Sequence, residues 1–134
     1  MLELGIGGGG LTRKLLPMIA RKHGVLVAAD SNKQAISRMK ISFAKNAFFE
    51  AVLLDADMSE LAEKGPFDLL VSANGLHMLS NCNQTIASIS PMLGDGGMAV
   101  VSVSEPDVFH DLVFGPVDGW FDWSVDILLS PLTP

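Results

Sequence analysis

The sequence is poor in several residue types, and each shortage excludes a class of protein. The single cysteine, Cys82, excludes a disulfide framework and a cysteine metal cluster, and it fits an intracellular, cytoplasmic setting. The three histidines, at 23, 77 and 110, lie too far apart for ligand-like spacing, so we expect no metal site. The chain has nine Lys and Arg and fifteen Asp and Glu, and the resulting net charge of −6 disfavours a nucleic-acid partner.

Long apolar runs are also lacking. None approaches the ~20 residues that a membrane-spanning helix needs, and Glu3 and the glycines after it interrupt any signal peptide. The sequence therefore predicts no membrane partner. Apolar residues still make up 49% of the 134 residues, which is enough for the core of one domain.

The most informative stretch is a glycine-rich turn near the N-terminus. A short apolar strand, Met1–Leu4, runs into Gly5–Gly10, where five of the six residues are glycine. Thr12 is a good N-cap residue, and apolar residues at helical spacing continue to about Lys22. Glycines allow a ligand to lie against bare backbone, and a helix N-terminus directs unpaired N–H groups toward it. This order of strand, turn and helix predicts a cofactor site.

Two cofactors fit the glycine spacing. Gly5, Gly7 and Gly10 match the dinucleotide fingerprint of NAD enzymes. Glu3 with the glycines at 5, 7 and 9 matches the pattern of S-adenosylmethionine (SAM) methyltransferases. A glycine-rich segment can also be only a turn. The acid favours SAM, because the sulfonium and ammonium groups of SAM are cationic whereas NAD carries a pyrophosphate.

Strands and helices alternate along the rest of the chain. The spacing of apolar residues predicts two more helices, one beginning after Asn32 and one around Ile86. It also predicts a turn at Gly94–Gly97 and four more strands, which are Val25–Ala29, Ala51–Leu54, Phe67–Ser72 and Met98–Val103. This alternation predicts an α/β fold with a Rossmann-like, doubly wound, mostly parallel sheet. Such folds bind ligands beyond the carboxyl ends of their strands.

Polar residues follow several of these strands. Asp30 lies 21 residues beyond Gly9, where an acid can accept hydrogen bonds from both ribose hydroxyls, although an Asp also commonly ends a strand. Asp55 or Asp57, with the backbone of Ala56 or Met58, is a candidate for the adenine edge; the alternative is a polar loop.

The segment after the fourth predicted strand adds two candidates, Asn74 for the cofactor and His77 as a general base. Without further context, a structural role for His77 is favoured over a catalytic one. Methyl transfer to an amine is disfavoured. Methyltransferases that act on amines carry a Pro-Pro-aromatic motif after an Asn or Asp at this position, and this chain has no such prolines after Asn74 and no tyrosine.

Beyond residue 105 the composition changes. We expect a cofactor-binding core at residues 1–105 and an aromatic-rich segment of the same domain at 106–134. The large apolar side chains of Phe109–Trp123 have no helical or strand period. We expect them to cover a sheet edge or line an acyl groove, and to promote self-association where exposed.

Four stretches together carry a resemblance to a known family; they are Glu3–Thr12, Leu15–Pro17, Ser72–His77 and Asp111–Trp120. They resemble the C-methyltransferase domains of type I polyketide synthases and the related methyltransferase-like domain of fatty acid synthases. The resemblance implies the class I SAM methyltransferase fold. It also implies a truncated domain of about five strands, without the family's preceding lid helices and its last two strands.

The resemblance further implies methylation of the α-carbon of a β-ketoacyl thioester on an acyl carrier protein, among neighbouring synthase domains. His77 matches the family's catalytic histidine, which would form an enolate that attacks the SAM methyl group. The family's partner glutamate falls at Val103 in this chain, and Glu105 lies two residues further on the same face of an extended strand. Two alternatives stay open: a non-catalytic scaffold domain and an NAD-linked oxidoreductase.

Overall fold

The computed structural model describes residues 1–54, 58–73, 87–102 and 128–130. Within these ranges the chain forms strands and helices that alternate as predicted. Residues 87–89 are also helical and lead into a 3₁₀ turn at Ser90–Met92. The elements are β1 (Leu2–Leu4), α1 (Gly10–Ala20), β2 (Leu26–Asp30), α2 (Lys33–Ser42), β3 (Phe49–Leu53), α3 (Ser59–Ala62), β4 (Phe67–Ala73), β5 (Leu93–Ser102) and β6 (Leu128–Ser130).

The strands form one sheet in the order β3-β2-β1-β4-β5-β6. The first five are parallel, and β6 runs antiparallel to β5. The order reverses between β1 and β4, where Leu2 lies opposite Leu70, so the ligand crevice of such a sheet lies beyond the carboxyl ends of these two strands. The predicted Rossmann-like parallel sheet is therefore confirmed.

The sheet is buried on both faces because helices cover it on both sides. Ile36 and Met39 of α2 pack on one face with Ala28 and Ala51. On the other face Leu61 of α3 packs in a cluster with residues of the central strands; this cluster includes Leu2, Leu4, Val27, Ala29, Val52 and Leu70. Each fully buried leucine stabilises the fold by roughly 1.5–3 kcal/mol.

The predicted cap of the second helix is correct. The side-chain oxygen of Asn32 accepts hydrogen bonds from the backbone N–H groups of Gln34 at 2.9 Å and Ala35 at 3.3 Å. These bonds satisfy donors that have no partner within the helix. They fix the start of α2 three residues after the end of β2, at the same end of the strands as the glycine turn.

The last parallel strand differs from the prediction. β5 begins at Leu93, not at Met98, and the predicted turn Gly94–Gly97 lies inside it. Phe67 pairs with Leu93 and Leu69 with Met98, so the extra residues form an irregularity in the strand. The prediction failed because pairing to β4 on both sides of the glycines overrides their local preference for a turn.

Two short elements, α3 and β6, were not predicted. Leu93 continues the helical spacing of Ile86 and Ile89 in the sequence, which predicts a helix through this residue, but Leu93 is the first residue of β5. The three-residue strand β6 is too short to show any period in the sequence; it pairs Leu129 with Val100. The predicted boundary between residues 105 and 106 and the segment Phe109–Trp123 lie outside the described residues, and both stay predictions.

No described helix combines the length and the apolar content that a bilayer crossing requires.

Candidate functional site: a glycine loop beside Asp30

The turn after β1 is held by its own backbone. The N–H of Gly5 donates to the carbonyl of Ala29 at 2.8 Å and extends the pairing of β1 with β2. The N–H of Gly9 donates back to the carbonyl of Ile6 at 2.8 Å, which closes the turn. Gly5, Gly7 and Gly9 have φ angles of 79°, 50° and 75°, in the left-handed region that side chains rarely adopt. We call residues 5–9 the glycine loop.

The outer side of the glycine loop is open. Gly7 and Gly8 are exposed, and a Cβ added at either position would meet no atom within 4 Å. Gly9 is different, because its Cβ would lie 2.5 Å from the Sδ of Met39 on α2. Gly9 therefore allows the loop to pack against α2, whereas Gly7 and Gly8 leave bare backbone accessible from solvent.

Asp30 ties the end of β2 to the glycine loop. Its Oδ2 accepts a hydrogen bond from the N–H of Gly7 at 2.9 Å, and its Oδ1 accepts one from the N–H of Asn32 at 2.8 Å. A carboxylate has about four acceptor sites, so each oxygen of half-buried Asp30 retains capacity for another donor. The structure thus brings together two predicted parts of the site, Asp30 and the glycine loop.

Glu3 lies beneath the first turn of α1, not on the open side of the loop. Its side chain is 1% exposed, and its Oε2 accepts a hydrogen bond from the hydroxyl of buried Thr12 at 2.8 Å. Burial raises the pKa of Glu3, while hydrogen bonds from the Thr12 hydroxyl and backbone N–H lower it. The pair fastens α1 to the central strand across the loop.

The prediction that Thr12 caps the first helix is wrong. The helix begins at Gly10, its N-cap is Gly9 in the left-handed conformation, and Thr12 is already inside the helix. Thr12 faces the sheet because Glu3 needs a donor there. Since glycine has no side chain, the N-cap supplies no acceptor to the first N–H groups of α1. The Thr12 N–H bonds to Glu3, whereas the N–H groups of Gly10 and Leu11 keep their capacity for a ligand.

Arg13 is a second residue whose part in the loop was not predicted. Its Nη1 donates to the carbonyl of Gly8 at 2.7 Å, and its guanidinium carbon lies 6.0 Å from the centroid of the Phe43 ring. Arg13 therefore holds the loop backbone from its helix side. No pattern in the sequence signals this contact, because it depends on how α1 approaches α2.

Ser72 marks the neighbouring strand. It is 2% exposed, and its hydroxyl has no hydrogen-bond partner in the part of the chain that the structure describes. It lies one residue before Ala73, which ends β4 and pairs with Ser102 at the end of β5. The other predicted site residues lie outside the described ranges; they are Asp55, Ala56, Asp57, Asn74, His77 and Glu105.

The described residues contain no group of three or more His, Cys, Asp and Glu side chains arranged to hold a metal ion. The fold and the loop together define an α/β domain with a cofactor cradle at the switch point of its sheet. Residues 1–97 match the methyltransferase domain family, and the chain belongs to this family.

The chain is also similar to parts of longer proteins. The chain is 29% identical over 126 residues to the non-reducing polyketide synthase Preu3 of Preussia isomera, covering 90% of this chain and 5% of that protein. The crystal structure of the CurJ carbon methyltransferase is similar, with 26% identity and a TM-score of 0.67, over 89% of this chain and 33% of that one. These findings confirm the resemblance to the C-methyltransferase domains of polyketide synthases.

The cofactor prediction is also confirmed. The trans-methyltransferase CalH, solved with S-adenosylhomocysteine (SAH), shares the fold with 23% identity and a TM-score of 0.64, over 89% of this chain and 36% of that one. The described residues fit SAM, because Gly7 and Gly8 leave open backbone and Asp30 presents acceptor oxygens beside it. The chain is a methyltransferase-family domain with close structural similarity to SAM-dependent methyltransferases.

Proposed function

We propose that this domain methylates the α-carbon of a β-ketoacyl thioester on an acyl carrier protein, within a polyketide-synthase-type enzyme. The observation that supports a carbon acceptor is the similarity to the CurJ carbon methyltransferase over 89% of the chain. When bound, SAM supplies an electrophilic methyl group. Everything else that the proposal requires comes from the chain's own residues.

The first requirement is a cofactor held in one orientation. Asp30 would accept hydrogen bonds from the ribose hydroxyls, while Gly5, Gly7 and Gly9 present the loop backbone. Asp55, Ala56, Asp57 and Asn74 complete the proposed set from the segments after β3 and β4. Glu3 is buried under the loop, where the ionised form of its carboxyl would favour a cationic ligand.

The second requirement is a base for the substrate. We assign it to His77, since imidazole titrates near neutral pH and an α-carbon between a ketone and a thioester is acidic. Glu105 would orient the ring and stabilise its charged form. Ala73 and Ser102 are register partners, and His77 and Glu105 follow them by four and three residues, so the chain length permits the pair to meet.

The test is methyl transfer from labelled SAM to a β-ketoacyl carrier protein by the parent enzyme. His77→Ala should lower the rate by about 10²–10⁴-fold and leave SAM affinity nearly unchanged. His23→Asn is the matched control, because His23 is exposed and asparagine tolerates its φ of 55°. A full rate in His77→Ala would remove this residue from the mechanism.

A non-catalytic scaffold is the second candidate, and Val103 at the position of the family's glutamate favours it. Glu105→Gln separates the two candidates. A slower rate in this variant supports catalysis through Glu105. SAM binding without methyl transfer to any β-ketoacyl substrate supports the scaffold.

A further inference from the structure

Charge is divided very unevenly along this chain. Eight of the nine Lys and Arg lie between Arg13 and Lys45, where Asp30 is the sole acidic residue. Residues 11–49 thus carry a formal charge of +7, and the remainder carries −13. The net charge of −6 conceals a strongly basic region within an acidic protein.

The fold collects these cations on one side of the sheet. Glu3 contacts α1 and pairs in register with Ala28, which packs under α2, so both helices cover the same face. Arg13 is engaged with the glycine loop, and the other seven basic side chains are exposed. None of these seven forms an ion pair with an acidic residue in the described ranges. We call them the basic face: Lys14, Arg21, Lys22, Lys33, Arg38, Lys40 and Lys45.

A shallow groove, wide open to solvent, lies where α1 and α2 end. It has a volume of about 620 Å³, and its lining combines the apolar Ala20, Phe43 and Phe48 with Lys45 and Asn46. This position is the carboxyl end of both helices, whereas the glycine loop lies at the amino end of α1. The groove and the glycine loop therefore lie toward different ends of α1, and Phe43 connects them, since its ring lies 6.0 Å from the guanidinium carbon of Arg13.

Apolar side chains are also exposed elsewhere on these two helices. Met18 is 61% exposed and Ile41 is 78% exposed, and neither is among the residues that line the groove. Phenylalanine, methionine and arginine are enriched in protein interfaces, whereas lysine is depleted, so the aromatic lining of the groove is the feature that indicates a protein partner. A surface that bound only phosphates would not need the apolar part.

We propose that the groove and the part of the basic face beside it, Arg21, Lys22 and Lys45, bind an acidic amphipathic helix of a partner protein. Apolar side chains of that helix would enter the groove beside Phe43 and Phe48, and its carboxylates would face Lys45 and Lys22. Because the basic side chains are positively charged, a complementary partner carries negative charge. Because the groove is lined partly by apolar side chains, the partner also needs an apolar side. The remaining −13 of the chain disfavours a long polyanion such as DNA, which would extend past the basic face.

The probe is a labelled peptide about three heptads long, with leucine at the core positions and glutamate elsewhere. Fluorescence anisotropy with the full chain should show binding that weakens with salt, and a scrambled peptide of equal composition should bind less. Lys45→Glu should weaken binding about tenfold, because it replaces an attractive pair with a repulsive one. Ala47→Glu should also weaken it, without affecting the fold, since Ala47 lines the groove and is exposed.

Lys33→Glu is the matched control. It makes the same charge change at the other end of α2, about 15 Å away, beyond the screening length at physiological salt. Circular dichroism of each variant checks that it is folded. A change of less than about twofold in Lys33→Glu supports a local site. An equal loss in Lys33→Glu and Lys45→Glu would overturn it.

Four other results would also overturn the proposal. These are equal binding of the scrambled peptide, tighter binding of a short DNA duplex, tighter binding of phosphatidylserine vesicles, and self-association of the chain that the peptide fails to displace. Sedimentation velocity with and without the peptide measures the last of these.

Discussion

Two glycine-rich stretches, Gly5–Gly9 and Gly94–Gly97, have similar compositions and different environments. The first follows a strand, and a Cβ at Gly7 or Gly8 would meet open space. The second lies inside β5, before its pairing with β4 resumes at Met98. A Cβ at Gly97 would lie 2.8 Å from the carbonyl oxygen of Gly94 and 3.0 Å from that of Phe67.

The difference shows that glycine content alone does not identify a ligand site. Side chains from other elements, Asp30 and Arg13, hold the backbone of the first stretch while its outer side stays open. In the second, Gly97 makes room for the chain's own backbone. The two stretches also lie toward opposite ends of the parallel strands. Only the first lies at the carboxyl ends of the strands, where such sheets bind ligands.

The largest effect on SAM binding is expected from Asp30→Ala. It should weaken binding by about 1.5–3 kcal/mol, the range for hydrogen bonds to a charged group. Isothermal titration calorimetry with SAM, SAH and NAD measures this loss and tests the oxidoreductase alternative. Asp95→Ala is the matched control, because Asp95 is an exposed aspartate in the second glycine stretch. Equal affinities in wild type and Asp30→Ala would refute the ribose assignment.

Gly97→Ala should destabilise the fold by about 1–3 kcal/mol, since a backbone carbonyl must move to admit the methyl group. The affinity of the folded protein for SAM should stay the same. Gly8→Ala should give the opposite result, with stability retained and SAM affinity reduced, because its Cβ enters the open side of the loop. Urea unfolding and calorimetry on both variants measure the two quantities. A fall in stability without a change in affinity for Gly8→Ala would contradict an open cradle.

A smaller effect concerns pH and Glu3. Because burial raises its pKa, the folded chain holds this proton to higher pH than the unfolded chain does. Stability should therefore fall as the pH rises from the unfolded pKa to the raised folded pKa, and then level off. Glu3→Gln should flatten this part of the curve, and Thr12→Val should steepen it by removing the bond that opposes the shift. Urea unfolding between about pH 4 and 8 tests this, with exposed Glu63→Gln as the control.

The sheet was predictable because buried parallel strands have a strong local signature. Leu26–Ala29 are an unbroken apolar run, and they occupy a strand buried on both faces. The cap at Asn32 was also predictable from local sequence, because helix capping depends on residues within one turn. The placement of Asp30 beside Gly7 follows from the register of β1 and β2.

Features that depend on how elements approach each other were not predictable. Thr12 looked like a cap because its partner, Glu3, is on another element. The role of Arg13 depends on the angle between α1 and α2, and the start of β5 depends on pairing with β4. The residues assigned to the chemistry, His77 and Glu105, rest on the family resemblance and on the tests above.

The strand order has a consequence for how the domain folds. β1, β2 and β3 are neighbours in both sequence and space, so the glycine loop and its bond to Asp30 need only short chain closures. The contact of Leu2 with Leu70 closes a much longer segment. Because such distant pairings form slowly, we expect the cofactor cradle to assemble before the crevice beside it. Pulse-labelling hydrogen exchange during refolding would then protect the amide of Leu26 earlier than that of Leu70.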